Sequence, residues 1–269
     1  MSTAFAAGVP QIFEPDYYQR LHDIEERHWW ASGMRDAMAA LLRDALAGKR
    51  QLRVLDAGCG TGYLLTHLQS YSLAGDPVGI DLSPHALRFC RRRGASALAL
   101  ASAARLPFAS ESFDLVICID TLQHLSPAGA DRTAIDEFAR LLRPGGVLYL
   151  RTNSSRGHAP LTGADPDQYR RYDLAGVSNM LEAAGLRVER ATYLNMLPGT
   201  WAMLRERVRR SPRAAPAIGP GLAIRSYPRR LSWLNGSMRR VLRCEAWLLA
   251  RGLNLPFGHS TAFVAQCPD

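Results

Sequence analysis

The chain has 269 residues, of which 33 are basic and 24 acidic, for a formal charge of +9, and 47% are hydrophobic. That length supports one α/β core with appended helices and is short for two full domains, while the apolar fraction excludes a disordered chain. The basic excess is all Arg except Lys49 and is heaviest late in the sequence, a pattern compatible with nucleic acid, an anionic membrane surface or an anionic substrate.

Residues 1–15 carry Gly8, Pro10 and Pro15 without periodicity and read as a loose arm. From Asp16 to Leu46, apolar residues at steps of three and four predict helices, with a break around Ala31-Ser32-Gly33. Short apolar runs at Leu52–Leu55, Pro77–Ile80, Ala97–Leu100, Phe113–Ile119 and Gly146–Leu150 then alternate with helical patterns. Strands separated by helices imply right-handed crossovers and a doubly wound, mostly parallel sheet whose ligand sits beyond the strand carboxyl ends. A helix over Leu174–Ala184 and a strand over Leu186–Leu194 continue the pattern. The stretch from Pro198 to Pro256, rich in Arg, Pro and Gly, departs from it and reads as an insertion with an amphipathic helix at Leu231–Gly252. Ser260–Ala265 supplies the last strand, giving about seven in all. The expected organisation is an N-terminal arm and helical cap (1–48), a core (49–195), a basic helical insertion (196–256) and the closing strand (257–269).

Cys59, Cys90, Cys118, Cys244 and Cys267 have no paired short spacing, so a zinc or redox motif is not expected and no metal is assigned. The first residues lack a basic segment followed by an apolar run, and no later stretch is long and apolar enough to span a bilayer, so a cytoplasmic protein is expected.

The chemistry concentrates in Val54-Leu55-Asp56-Ala57-Gly58-Cys59-Gly60-Thr61-Gly62, a strand that runs into a glycine loop and then a helix. Such glycines permit a sharp turn and bring bare backbone against a ligand. A dinucleotide loop spaces them Gly-x-Gly-x-x-Gly around a pyrophosphate; here the third glycine comes one residue early, and Asp56 would repel a pyrophosphate but accept from an ammonium group. Asp81, in Gly79-Ile80-Asp81-Leu82-Ser83, ends the next strand where a carboxylate can take both hydroxyls of a ribose.

These two segments resemble the first two motifs of the class I S-adenosylmethionine-dependent methyltransferases. The resemblance continues through Ser102-Ala103-Ala104-Arg105-Leu106-Pro107-Phe108, similar to the family's adenine-contacting segment, Phe113–Asp120 as the fourth strand, and Arg143-Pro144-Gly145-Gly146 before the fifth, about residues 50–152 in all. It implies a Rossmann-like fold, S-adenosylmethionine as cofactor, and cofactor binding by Asp56, Ala57, Gly58, Cys59, Gly60, Asp81, Leu82, Ser102, Ala103, Ala104 and Asp120. Ser102 stands where the family commonly has an acid that accepts from the adenine amino group, which implies weaker binding of the base.

Glu25-Glu26-Arg27-His28-Trp29-Trp30, followed by Arg35, resembles the His-Trp-Trp segment of a bacterial subgroup of these enzymes, with Ala31 in place of the usual Phe. The resemblance implies that Trp29 and Trp30 wall the acceptor site, or pack in the core, and that Arg35 meets the cofactor carboxylate. His124, after the fourth strand, is the candidate general base, with an orienting or structural histidine as the alternative. Tyr169-Arg170-Arg171-Tyr172-Asp173 resembles a basic, aromatic turn of the subgroup: Arg171 and Tyr172 are candidate acceptor contacts, and Asp173 is expected to cap the following helix. In the insertion, a helical hairpin packed on the core competes with a basic lid or a weak membrane-surface contact.

The function implied is O-methylation of a small metabolite, saccharide or natural-product intermediate, the acceptor being anionic or glycan-like. C- or N-methylation, a nicotinamide-dependent oxidoreductase and a non-catalytic cofactor-binding partner protein are the alternatives. No nucleic acid is expected, since no RNA-binding module is evident, and a monomer or homodimer is compatible with the sequence.

Overall fold

The structure, a computed structural model, describes residues 15–25, 28–72, 75–155, 170–197 and 232–269. Most of the N-terminal arm, Tyr169 and the 198–231 part of the insertion, with Trp201 and Leu204, lie outside the described residues.

Seven strands form one sheet: β1 (Val54–Ala57), β2 (Val78–Asp81), β3 (Leu98–Leu100), β4 (Phe113–Ile119), β5 (Leu142–Asn153), β6 (Arg187–Leu194) and β7 (Ser260–Gln266). The order is β3-β2-β1-β4-β5-β7-β6, parallel except for β7, which runs antiparallel to both its neighbours. The sheet is the doubly wound, Rossmann-like arrangement expected, and it reverses direction of winding at β1 and β4. That switch point is where ligands bind in open α/β sheets.

The helices are α1 (Pro15–Glu25), α2 (Trp29–Ala45), α3 (Tyr63–Leu68), α4 (Pro84–Arg92), α5 (Ala130–Leu141), α6 (Leu174–Ala183) and α7 (Ser232–Ala250). Because side chains alternate along a strand, the central strands feed two cores. Leu115, Ile117, Val147 and Tyr149 pack with α2 and α7 residues such as Met38, Leu42, Leu242 and Leu249. Val116, Cys118, Leu148 and Leu150 pack with Ile135 and Phe138 of α5 and Val177 and Leu181 of α6 on the other side. Both faces are covered, as continuous apolar strands require.

Local caps fix the helix starts. Ser83 Oγ accepts from the N–H groups of His85 and Ala86 at 3.2 and 3.4 Å, with Pro84 in the first turn of α4. Asp173 caps α6 by accepting from Gly176 N at 2.6 Å, as expected. The N-terminal helices break earlier than the sequence suggests: His28 Nδ1 accepts from Trp30 N at 3.1 Å and starts α2, which runs straight through Ala31-Ser32-Gly33. Gly33 is not a breaker but a contact point, since a Cβ there would stand 2.4 Å from Leu242 Cδ1 of α7.

Candidate active site at the carboxyl ends of β1, β2 and β4

Asp56 and Asp81 sit near the carboxyl ends of adjacent strands, whose register pairs Asp56 with Gly79 and Ala57 with Ile80. Both carboxylates are buried. The glycine loop between β1 and α3 is tied back onto β2: Gly58 N and Cys59 N both donate to Ile80 O at 2.8 Å, and Gly60 N donates to Asp81 Oδ2 at 3.0 Å. Asp81 Oδ1 accepts from Ser83 N at 2.8 Å, so the carboxylate is held between the loop and the start of α4.

That geometry separates this loop from an anion cradle. Three of its N–H groups are consumed by β2 and do not point at an incoming phosphate. Two of its glycines are dictated by space as well as by backbone conformation. Gly58 has φ +89° and a Cβ there would lie 2.0 Å from Thr121 Oγ1; Gly62 has φ +78° and its Cβ would lie 2.9 Å from Cys90 Sγ.

Among the described residues Asp56 has no counterion. Its pKa is pushed up to about 8, first by burial and then by the negative charges of Asp81 and Glu25. Burial also raises Asp81, against the lowering effect of N–H groups from Ser83, Gly60 and Leu82. Two buried carboxyls with no cation against them among the described residues suit a ligand bearing a positive charge and several hydroxyl donors. An amino-acid-bearing, sulfonium-containing nucleoside has that donor set, so the residues present fit S-adenosylmethionine.

Beyond β2, Leu82 is 58% exposed beside Asp81, an unsupported apolar side chain at the mouth. Ser102 Oγ accepts from Ala104 N at 3.2 Å, so its oxygen supports the turn that carries buried Ala103. The same segment is joined to β2 by Ala101 N donating to Asp81 O at 3.1 Å.

Helix α1 lies against this mouth. Tyr18 packs with Ala86 and Phe89 of α4, Leu21 is the nearest neighbour of a Cβ built on Gly60, at 3.8 Å, and Thr61 Oγ1 donates to Glu25. The phenol of Tyr17 is raised to about 12 by burial and by Asp120, Glu25 and Asp81. Neither tyrosine was singled out from the sequence, because α1 shows only that it is amphipathic and not what it covers.

At the ends of β4 and β5, Asp120 forms a two-pronged ion pair with Arg151, at 2.5 Å to Nη2 and 3.3 Å to Nε. The guanidinium is 5% exposed and stacks on the Trp30 ring at 4.9 Å. Arg151 was not anticipated: a charged residue at the end of an apolar strand signals a strand end, and its partner 31 residues away is brought close only by β4–β5 pairing. His124 follows on a short 3-10 turn, Leu122–His124. Burial lowers its pKa to about 4, with Asp120 acting in the opposite direction, so its imidazole is neutral at physiological pH.

The remaining expected site residues divide. Arg35 donates to Tyr63 Oη and its guanidinium lies 4.7 Å over that ring, next to the glycine loop. Trp29 is in the core with Met34 and Leu42, whereas Trp30 meets Arg151, because consecutive helical residues point about 100° apart. The Tyr172 hydroxyl is bonded to Asp131 Oδ2 at 2.9 Å and Leu122 O at 3.3 Å, and Arg170 pairs with Asp131 at 3.0 Å. Tyr172 therefore clamps the turn that carries His124; Arg171 next to it is half-buried. Among the described residues no group of three or more metal-ligating side chains occurs, and no helix is long and apolar enough to cross a membrane.

A doubly wound sheet with a glycine loop and two buried acids at its switch point, the loop's N–H groups tied to β2, is an arrangement suited to a cationic nucleoside and not to a pyrophosphate. Comparison with known proteins gives the family. Residues 55–150 match a methyltransferase domain. The malonyl-[acyl-carrier protein] O-methyltransferase of Methylococcus capsulatus is 32% identical over 218 residues, covering 73% of this chain and 75% of that protein. The tRNA (carboxymethyluridine(34)-5-O)-methyltransferase of Arabidopsis thaliana is 32% identical over 153 residues, and the match spans only 35% of that protein. Among solved structures, phosphoethanolamine N-methyltransferase 2 of Haemonchus contortus, in complex with S-adenosyl-L-methionine, shares the fold with a TM-score of 0.60 at 19% identity, over 96% of this chain and 58% of that one. The Haloferax volcanii complex between the Trm112 methyltransferase activator and a methyltransferase gives a TM-score of 0.59 at 18% identity, over 98% of this chain and all of that one. The chain belongs to the class I S-adenosylmethionine-dependent methyltransferases, and S-adenosylmethionine is its cofactor.

Proposed function

We propose that this protein methylates an oxygen of a small acceptor, a metabolite, saccharide or natural-product intermediate, at the carboxyl ends of β1, β2 and β4. The observation that carries the proposal is the pair of buried acids, Asp56 and Asp81, which have no counterion among the described residues and are set across a glycine loop whose N–H groups bond to β2. In this reading Asp56 meets the amino acid end of the cofactor, with Ala57, Gly58, Cys59 and Gly60 forming the floor and Arg35 meeting the carboxylate. Asp81 takes the ribose hydroxyls, and Leu82, Ser102, Ala103 and Ala104 border the base. The cofactor, when bound, supplies an electrophilic methyl group on a sulfonium.

For that chemistry the protein has to hold the acceptor oxygen close, aligned and dry. Trp30 and the Arg151–Asp120 pair form one rigid side of the acceptor region, and the α1 face with Tyr17 forms another. His124 is neutral at physiological pH and can accept a proton or a hydrogen bond from a hydroxyl. With a pKa of about 4 it is a weak base, which suits an acceptor whose oxygen is acidic or already anionic better than a simple alcohol. Helices α1 and α2 serve as the cap, and the strands β1 to β7 carry the cofactor-binding core. The tRNA-modifying relative raises an RNA acceptor as the rival class. Labelled methyl transfer from the cofactor to a panel of small hydroxyl and carboxyl acceptors, run beside bulk tRNA, tests the proposal: transfer to a small acceptor supports it, and transfer to tRNA alone refutes it.

A further inference from the structure

Helix α7 has one face in the core and one that, among the described residues, carries no packed neighbour. Leu242, Ala246 and Leu249 are buried against α2, and Glu245, the only acid in the helix, also points inward, its Oε1 accepting from Leu197 N at 3.2 Å. The outward face carries Arg239, Arg240, Arg243 and, just past the helix end, Arg251, all exposed, with no carboxylate among them. Between these arginines stand Trp233 and Trp247, 65% and 53% exposed. Large apolar side chains grouped on one surface mark an interaction site more often than chance exposure does.

We infer that the outward face of α7 docks this enzyme on an anionic phospholipid surface. The combination is the one such an interface selects: indole rings for the headgroup boundary and guanidinium groups for the phosphates around them. Charge complementarity fixes the sign, because four exposed arginines with no exposed acid on the helix repel a cationic partner and attract a polyanion. The side-chain mixture favours a headgroup layer: two exposed indoles stand among the arginines, and one of them, Trp247, pairs its ring with the Arg251 guanidinium at 3.5 Å, an amphipathic pair suited to a boundary that is apolar on one side and anionic on the other. Arg239 on the first half of α7 also lies near enough to Arg35 to repel its charge, so the docking face adjoins the end of the molecule that carries the candidate site.

The test uses the full chain with vesicles of phosphatidylcholine alone and of phosphatidylcholine mixed with phosphatidylglycerol in roughly equal parts. The protein should sediment with the mixed vesicles at low salt, ignore the neutral ones, and be released at about 0.5 M salt. The triple variant R240Q/R243Q/R251Q, altered only at exposed positions, should bind the mixed vesicles about a hundredfold more weakly, since each basic residue near such a surface contributes about fivefold. Replacing Trp233 and Trp247 by Phe should preserve sedimentation while removing most of the tryptophan quenching produced by brominated lipids. Equal binding to both vesicle types, no binding to either, unchanged binding by the triple variant, or binding to structured RNA with the vesicles ignored would each overturn the assignment.

Discussion

Replacing Asp56 by Asn should stabilise the empty protein and weaken its hold on the cofactor. In the folded chain the Asp56 carboxyl has a pKa of about 8 against an unperturbed 3.8, because it is buried beside Asp81 and Glu25. A raised carboxyl pKa means that the folded state keeps a proton that the unfolded state releases. Below pH 3.8 both states are protonated and the group is neutral in effect. Between 3.8 and about 8 stability falls by about 1.36 kcal/mol per pH unit, and above 8 the penalty is complete. At pH 7 the cost is about 4 kcal/mol, an upper value because the chain relaxes around the group. Asn has nearly the same shape and no charge, so D56N should raise the melting temperature of the empty protein by roughly 4–10 °C at pH 8, and hardly at all at pH 4. Calorimetric unfolding across that pH range measures the difference. The same substitution should weaken cofactor binding by roughly 2–3 kcal/mol, through loss of a charge-assisted hydrogen bond. A variant that melts lower than the parent at pH 8, or that binds the cofactor unchanged, would refute the reasoning.

Asp81→Ala should weaken cofactor binding by roughly 1.5–3 kcal/mol in titration calorimetry if its oxygens meet the ribose, and it frees the Gly60 N–H that Asp81 now holds. His124→Ala should lower turnover about tenfold to a hundredfold with cofactor affinity intact, and the parent rate profile should show no inflection from this imidazole between pH 5.5 and 8, since its pKa is about 4. Gly58→Ala should destabilise the fold by about 2 kcal/mol or more in denaturant unfolding, with part of the loss recovered by Thr121→Ala, because the new Cβ meets the Thr121 side chain. Asp120→Asn should cost roughly 3 kcal/mol of stability by leaving the buried Arg151 guanidinium without its counter-charge, whereas D120N combined with R151L should recover much of it.

The sheet was legible because its strands are short apolar runs bounded by Gly, Pro and charged residues, and Phe113–Ile119 is found where the pattern puts it. Most strand ends moved by a residue or two, and β5 runs Leu142–Asn153 where Gly146–Leu150 was expected; β1 runs Val54–Ala57 and not Leu52–Leu55, since hydrogen-bond register with β2 and β4, which a local pattern does not carry, decides where pairing stops. Gly33 was misread as a helix breaker because the reason for its small size, the close approach of Leu242, lies more than 200 residues away. The meeting of Asp56, the glycine loop and Asp81 was readable, since they fall in two contiguous segments joined by one crossover. Arg151 was not: Trp30 and Asp120 were each singled out, but the guanidinium that joins them lies on another strand and meets them only through the β4–β5 register. Tyr172 shows the converse: a residue that looked like an acceptor contact has its hydroxyl committed to Asp131 and Leu122 O, a partnership no local motif encodes.

The most direct measurement is isothermal titration of the full chain with demethylated cofactor, S-adenosylhomocysteine, and separately with a nicotinamide dinucleotide, in buffers of different ionisation enthalpy at pH 7. The uncounterbalanced acid at the end of β1 predicts one-to-one binding of the first ligand with release of close to one proton, and no binding of the second. Binding of the dinucleotide alone, or binding of the sulfur nucleoside without proton release and unaffected by D56N, would contradict the account of this site.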